Sequence, residues 1–144
     1  DTDSSLGLHT DLGVAWLTPI AGTQFNLSVR NLGISSAMDE ERTLFAPSLE
    51  MDLSKSINYQ NTDITFELSG VKAVDENWKA AVSSEIELFQ RLLALRIGYK
   101  INYDAENLTA GLGLNWKNLS IDYGWGSFSD HLNNVHSFGL SYHF

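Results

Sequence analysis

The residues of this sequence that could do chemistry are carboxylates at alternating positions. Glu85 and Glu87 are two residues apart, and so are Glu50 and Asp52. On a β-strand, each pair would face the same side, and two facing carboxylates can divide general acid and general base work. The alternative is a polar surface lined with charges of both signs, since arginines and lysines occur at the same spacing nearby. We favour this second interpretation and expect no enzymatic activity.

Metal-binding and nucleophilic chemistry has less support. The chain has no cysteine, which removes disulfides, thiolate ligands and thiol nucleophiles together. His131 and His136 could meet Asp130 in a late loop and hold a metal ion there, although we favour solvated loop side chains. Serine, histidine and aspartate occur without the context of a nucleophile elbow. We therefore expect no catalytic residue, no cofactor and no metal.

Composition narrows the class of protein. Eighteen acidic residues against nine basic ones give a net charge of −9, which repels phosphate backbones and argues against a nucleic-acid partner. At 43% hydrophobic residues, the chain is too apolar to be disordered. No long uninterrupted apolar run is present, which excludes a transmembrane helix. It does not exclude a transmembrane β-strand, in which only every second residue needs to be apolar.

The elements that must position these residues are β-strands, because apolar and polar residues alternate along most of the chain. From Leu6 to Trp16, apolar residues occupy most even positions, and glycine, histidine and aspartate occupy most odd positions. The pattern recurs at residues 25–30, 49–54, 64–69, 78–88, 95–103, 108–116, 119–125 and 138–144. It predicts an all-β fold of about nine antiparallel strands, most of them close to the length that crosses a bilayer at a tilt.

One segment also fits a helix, and the connections differ in length. Residues 85–95 contain good helix formers, but the alternation on both sides favours two strands joined near residues 89–91. Residues 57–61 are predicted to form another connection. The longest connections are residues 33–45 and 127–133, and the shortest are residues 19–23 and 117–118. Outer-membrane barrels combine short periplasmic turns with longer outer loops, so the sequence favours such a barrel.

Charged residues fall on one face of the predicted strands, and none lies mid-strand on the apolar face. A basic residue facing lipid at the bilayer midplane costs about 2–4 kcal/mol, so a lipid-facing surface requires this segregation. Glycines on the polar face, at positions 98, 111, 113, 124 and 139, would let strands bend or let lumen groups approach. We predict that ten charges face a barrel lumen as structural or pore-lining groups: Arg30, Glu50, Asp52, Glu67, Lys79, Glu85, Glu87, Arg96, Lys100 and Asp122.

The last strand carries the most specific local signal. Phe138, Leu140, Tyr142 and Phe144 alternate into a terminal aromatic residue, which looks like the signature that barrel-assembly machinery reads. Further aromatic residues occupy apolar-face positions, several near strand ends, as in the interface girdles of membrane barrels: Trp16, Trp78, Tyr99, Tyr103, Trp116, Tyr123 and Trp125. A soluble core also collects aromatic residues, so alternation alone leaves open which face meets water.

Several of these segments resemble a known family. They are residues 95–99, 108–114, 119–123, 128–130 and 136–144, together with the motif S-V-R-N-L-G at residues 28–33. They are similar to strands of the PorV/PorQ-like, FadL-related bacterial outer-membrane β-barrel family. Ser137 and His143 stand where members of that family often carry arginine. The resemblance implies an outer-membrane location and a role in transport or in type IX-like protein secretion.

The resemblance also implies an up-and-down transmembrane barrel of about fourteen strands, of which this chain, as one domain over residues 1–144, supplies about nine. Bacterial single-chain barrels have an even number of strands, and an open edge cannot face lipid. Unless a strand is miscounted, we expect missing N-terminal strands or another chain to complete the barrel. The other expected partners are outer-membrane lipid, the barrel-assembly machinery and proteins of a secretion system.

Two other functions are open at this point. One is a structural or scaffolding outer-membrane barrel that binds partner proteins through its outer loops, residues 33–45 and 127–133. The other is a soluble β-barrel whose apolar face encloses a small ligand.

Overall fold

The computed structural model describes residues 7–35, 37–38, 41–42, 46–104, 106–128 and 133–144. Within these ranges the chain forms β-strands and no helix, which confirms the all-β prediction. The strands are β1 (Gly7–Leu17), β2 (Thr23–Ser35), β3 (Ala37–Met38), β4 (Glu41–Arg42), β5 (Ser48–Tyr59), β6 (Thr62–Ala73), β7 (Lys79–Leu88), β8 (Leu93–Ile101), β9 (Glu106–Trp116), β10 (Leu119–Phe128) and β11 (Val135–Tyr142).

Nine of these strands form one antiparallel sheet in the order β1-β2-β5-β6-β7-β8-β9-β10-β11. Strands β3 and β4 pair only with each other, in the connection between β2 and β5. Each strand of the sheet therefore lies beside its neighbours in the sequence, which is an up-and-down order. The prediction of about nine antiparallel strands is confirmed.

Strands extend into predicted connections in the structure, and these connections are therefore shorter. The charged and polar residues that suggested a connection belong to the strand. Strand β5 runs on through Ile57 to Tyr59, so the predicted connection at residues 57–61 is reduced to a two-residue turn, Gln60 and Asn61.

The helical alternative for residues 85–95 is wrong. Phe89, Gln90 and Arg91 have φ angles of 55°, 58° and 69°, which end β7 in a tight turn and are incompatible with a right-handed helix. No helix in the described part of the chain is long and apolar enough to span a membrane.

The connections fall into two groups at opposite ends of the sheet. We call the ends the turn end and the loop end. The turn end holds residues 18–22, 60–61, 89–92 and 117–118. The loop end holds residues 36–47, 74–78, 102–105 and 129–134, parts of which lie outside the described residues.

The strand register gives the sheet an apolar face and a polar face. One row of the apolar face crosses seven strands through directly paired residues: Trp16, Phe25, Leu53, Leu68, Val82, Tyr99 and Leu108. Among the described residues, Ala94 is the one buried hydrophobic residue. Large apolar side chains therefore stay open on this face, because the sheet is a single layer with no second layer of described residues against it.

The apolar face carries two lysines, both outside the predicted strand segments 49–54 and 64–69. Lys55 pairs with Phe66 and Lys72 pairs with Leu49, because β5 and β6 are longer than predicted. Both side chains turn toward the ends of the sheet. The Lys55 amine donates a hydrogen bond to the Ala21 carbonyl at the turn end (2.5 Å). The Lys72 amine donates one to the Glu76 carbonyl at the loop end.

The sheet is open. Among the described residues, strands β1 and β11 each pair on one side only, so each has a free edge. Since nine antiparallel strands separate these edges, β1 and β11 run in the same direction. Barrel closure is therefore not part of the described fold, and the single-domain barrel over residues 1–144 remains a prediction.

Candidate functional site

The ten predicted charges share the polar face, as the pairings of β2 and of β5 to β10 show. Most of them belong to small ion-pair groups. Arg30 contacts Glu50 at 2.8 Å near the loop end. Asp52 and Glu67 form no ion pair within the part of the chain that the structure describes. The candidate site is the centre of this face, where the strands surround a cavity.

At this centre, Arg96 of β8 binds two carboxylates. Its Nη1 lies 2.7 Å from Oδ1 of Asp122 on β10, and its Nε donates a hydrogen bond to Glu85 on β7. Glu85 is paired directly opposite Arg96, but Asp122 is two strands away and is separated from β8 by β9. We call these three residues the Arg96 cluster.

Two glycines of β9 make room for the cluster. A Cβ atom on Gly113 would lie 3.3 Å from the Arg96 Nη1 and 3.0 Å from the Asp122 Oδ1. One on Gly111 would lie 3.4 Å from the Arg96 Cβ. The Arg96 side chain therefore lies across β9 because both positions lack a side chain. The sequence suggested that these glycines let strands bend or let polar groups approach. The geometry favours the second role.

The cluster lines a cavity of about 600 Å³. Six strands contribute polar-face residues to its wall, including Glu67, Glu85, Arg96, Gly111, Asp122 and Ser137, one from each strand from β6 to β11. Twelve of the 17 lining residues belong to the polar face of six successive strands, so we take the polar face as the concave side of this part of the sheet. The apolar face is then the convex side.

A second ion-pair group lies at the turn end. The Arg91 Nε lies 3.0 Å from Asp63 and 3.3 Å from Glu87, and Asn58 donates a hydrogen bond to Asp63. The hydrogen bond with Asp63 and the charges of Glu87 and Asp63 raise the pKa of Arg91, which keeps it charged. Arg91 and Asp63 are absent from the predicted charges, because Arg91 lies in a predicted turn and the predicted strand begins at Ile64. The alternation of β5 continues past Ser54. A longer β5 implies a longer paired strand β6, and this could have placed Asp63 in that strand.

A third group of charged side chains lies at the loop end, and it surrounds Tyr103. The Lys79 and Lys100 amines lie 5.8 Å and 5.3 Å from the centre of the Tyr103 ring, which therefore faces the polar side. The prediction of Tyr103 on the apolar face is wrong, because Asn102 has a φ of 61° and breaks the alternation. Lys79 also contacts the Glu76 carboxylate at 2.5 Å.

The paired carboxylates lie beside arginines. Glu85 and Glu87 share a face, but Arg96 holds the first and Arg91 holds the second. Glu50 is held by Arg30. Three of these four carboxylates are thus each bound by an arginine, and Asp52 is the exception among the described ion pairs.

No group of metal-ligating residues is found in the described ranges. The predicted loop site cannot be placed, since Asp130 and His131 lie outside the described residues. His136 is described, and its Nδ1 lies 2.8 Å from the Tyr123 hydroxyl oxygen.

The assembly-signature residues lie on β11 and just after it. Phe138, Leu140 and Tyr142 pair with apolar-face residues of β10, and Phe138 and Leu140 are 81% and 72% exposed. The Phe138 ring packs 5.1 Å from the Tyr123 ring, and the Phe144 ring packs 5.2 Å from the Tyr142 ring. The signature thus forms an apolar stripe beside a free strand edge.

Aromatic side chains occupy both ends of the apolar face. Trp16, Tyr59, Trp116 and Tyr142 lie toward the turn end, and Trp78, Tyr99 and Trp125 lie toward the loop end. Most positions between them are aliphatic, although Phe66, Tyr123 and Phe138 lie further in. Aromatic belts around an aliphatic band are typical of the lipid-facing surface of a membrane barrel.

Comparison of the chain with family models, with curated proteins and with solved structures finds no match. The functional argument therefore depends on the sheet, its two faces and the cavity.

Proposed function

We propose that this chain forms part of the wall of a bacterial outer-membrane β-barrel that acts in transport or in type IX-like protein secretion. The observation that carries the proposal is the pairing of two features on one sheet. An exposed, convex apolar face has aromatic residues at both ends, and the opposite, concave face is polar and lines a cavity.

The apolar face needs a cover that the described chain does not supply. Soluble monomers rarely expose contiguous apolar patches larger than a few hundred Å². Here large apolar side chains are exposed on every strand of the nine-stranded sheet. Lipid would cover such a surface at no cost, because it is as apolar as the side chains themselves.

The curvature argues against the soluble ligand-binding alternative. A soluble barrel that encloses an apolar ligand must turn its apolar face inward. In this sheet the concave side carries Glu67, Glu85, Arg96 and Asp122. In the proposed barrel these residues, with the other polar-face charges, line an aqueous lumen.

The two lysines of the apolar face fit a lipid-facing surface. A lysine near the end of a membrane-spanning element can turn its amine toward the interface while its carbon chain stays in lipid. Lys55 and Lys72 both direct their amines to carbonyls outside the strands. Neither amine then remains in the middle of the apolar band.

Closure of the proposed barrel requires further strands. The free edges of β1 and β11 run in the same direction, so only an odd number of additional strands joins them with antiparallel pairing throughout. We propose that another chain, or an N-terminal part of the same protein, supplies them. The partners of the complete barrel would be outer-membrane lipid, the assembly machinery and secreted or transported cargo.

A flux assay tests the transport arm of the proposal. The protein, together with the strands that complete its barrel, is reconstituted into liposomes, and the release of small polar solutes is compared with that of protein-free liposomes. Solute release that depends on the protein supports a transport barrel. Absence of release, with stable binding of partner proteins, would replace it with a scaffolding barrel.

A further inference from the structure

The Arg96 cluster connects strands that are not neighbours. Neighbouring strands lie about 4.8 Å apart, so about 10 Å separate β8 from β10. The contact between Arg96 and Asp122 must bridge this distance over the backbone of β9. It joins a guanidinium to a carboxylate, which is among the stronger kinds of protein hydrogen bond.

Such a contact depends on the curvature of the sheet. On the concave face of a curved sheet, side chains from next-but-one strands converge, and on a flat sheet they stay parallel. The contact between Arg96 and Asp122 at 2.7 Å is therefore favoured by the curved form of β8 to β10. Glu85 holds the other side of the guanidinium and extends the connection to β7.

The glycines of β9 are the second requirement. A Cβ atom at position 113 would lie within 3.3 Å of side-chain atoms of Arg96 and Asp122. Gly126, on the same face of β10, has no atom closer than 3.9 Å to that position. A side chain at position 113 would therefore displace the cluster, while a Cβ at position 126 would make only ordinary contacts with Phe128 and Thr109.

We propose that the Arg96 cluster is a latch that holds the curvature of β7 to β10 and thereby sets the width of the polar cavity. For a transport barrel this width limits the size of the solute that passes, and this last step rests on the function proposed above. The latch itself depends only on the sheet.

The width of the cavity can be measured directly, because the chain has no cysteine. The substitutions Ser83→Cys and Ser137→Cys introduce two cysteines at the cavity wall, one on β7 and one on β11. A spin label is attached to each cysteine. Pulsed electron–electron double resonance, measured on the full chain, gives the distance between the two spin labels. Four strand spacings correspond to about 19 Å along the sheet, and we expect Arg96→Gln to lengthen the label distance by about 3 Å or more.

Arg30→Gln is the matched control. It removes an arginine–glutamate pair from β2 and β5, away from the cavity wall, and is expected to leave the label distance unchanged. Gly113→Val should lengthen the distance as Arg96→Gln does, and Gly126→Val should not. If Arg96→Gln prevents folding, the two glycine variants decide the question alone.

The results separate the latch from the transport function. An unchanged distance in Arg96→Gln and in Gly113→Val overturns the latch, even if liposomes show flux. A longer distance without any flux supports the latch and counts against transport. A longer distance with flux predicts that Arg96→Gln admits larger solutes than the parent protein does.

Discussion

At the scale of single residues, neighbours in the chain face opposite surroundings. Val82 lies on the apolar face and is 48% exposed, and Ser83 lies on the polar face at the cavity. The period of two in a strand produces this contrast, and it is the reason that the faces of all ten charged residues could be predicted from the sequence. Whether that face lines a lumen is a proposal.

Lysine substitutions at these two positions test the lipid-facing assignment. We expect Val82→Lys to lower the stability of the membrane-inserted protein, because a lysine that faces lipid is costly, by up to about 2–4 kcal/mol at the bilayer midplane. Ser83→Lys places the same charge in the aqueous cavity and should have little effect. Urea unfolding in liposomes measures both variants, and equal stability of the two would contradict the assignment.

The residues that prediction missed share a physical cause. Tyr103 changed face because Asn102 adopts a positive φ, and the sequence gives little sign of this. Arg91 lies in a turn, and its contacts with Asp63 and Glu87 depend on how that turn folds back over the sheet. Alternation gives the face of a strand residue, but it does not describe turns.

At the scale of strands, the number and order of the nine sheet strands followed from alternation, while their ends did not. Charged and polar residues such as Lys55 and Asn58 suggested a connection, although the strand continues through them. A strand end in this protein is determined by hairpin pairing, as in the pairing of Tyr59 with Thr62. Pairing joins two segments, so a single segment does not reveal it.

The turn between β5 and β6 gives a prediction about strand pairing. Gln60 has a φ of 56°, which costs a residue with a side chain roughly 1–2 kcal/mol and costs glycine almost nothing. We expect Gln60→Gly to stabilise the protein by up to about 1 kcal/mol. Asn61→Gly is the control, since Asn61 has no positive φ, and it should give no gain. A Gln60→Gly protein no more stable than its parent would argue against this turn geometry.

The two ends of the sheet give a prediction about orientation. Short turns face the periplasm in outer-membrane barrels, so we expect the loop end to be outside the cell. In intact cells, a membrane-impermeant maleimide should label Asp75→Cys at the loop end and spare Asn61→Cys at the turn end. Labelling of the turn end alone would reverse the orientation.

At the scale of the whole molecule, the curvature of the sheet is the feature that alternation could not describe, whereas the odd number of strands already predicted an incomplete barrel. Alternation assigns two faces to each strand, but it does not show which face is concave or whether the two edges meet. The structure answers the first question through the cavity beside Arg96. For the second, it shows two free edges that run in the same direction, which is why the proposed barrel needs an odd number of further strands.

The central claim is that the apolar face meets lipid, and the behaviour of the purified chain with and without detergent tests it most directly. We predict that the protein stays folded and in solution only with detergent or lipid, and that its unboiled form migrates differently from its boiled form on a gel. A folded, monodisperse protein in plain buffer would contradict the claim, because water would then be in contact with the surface that we assign to the membrane.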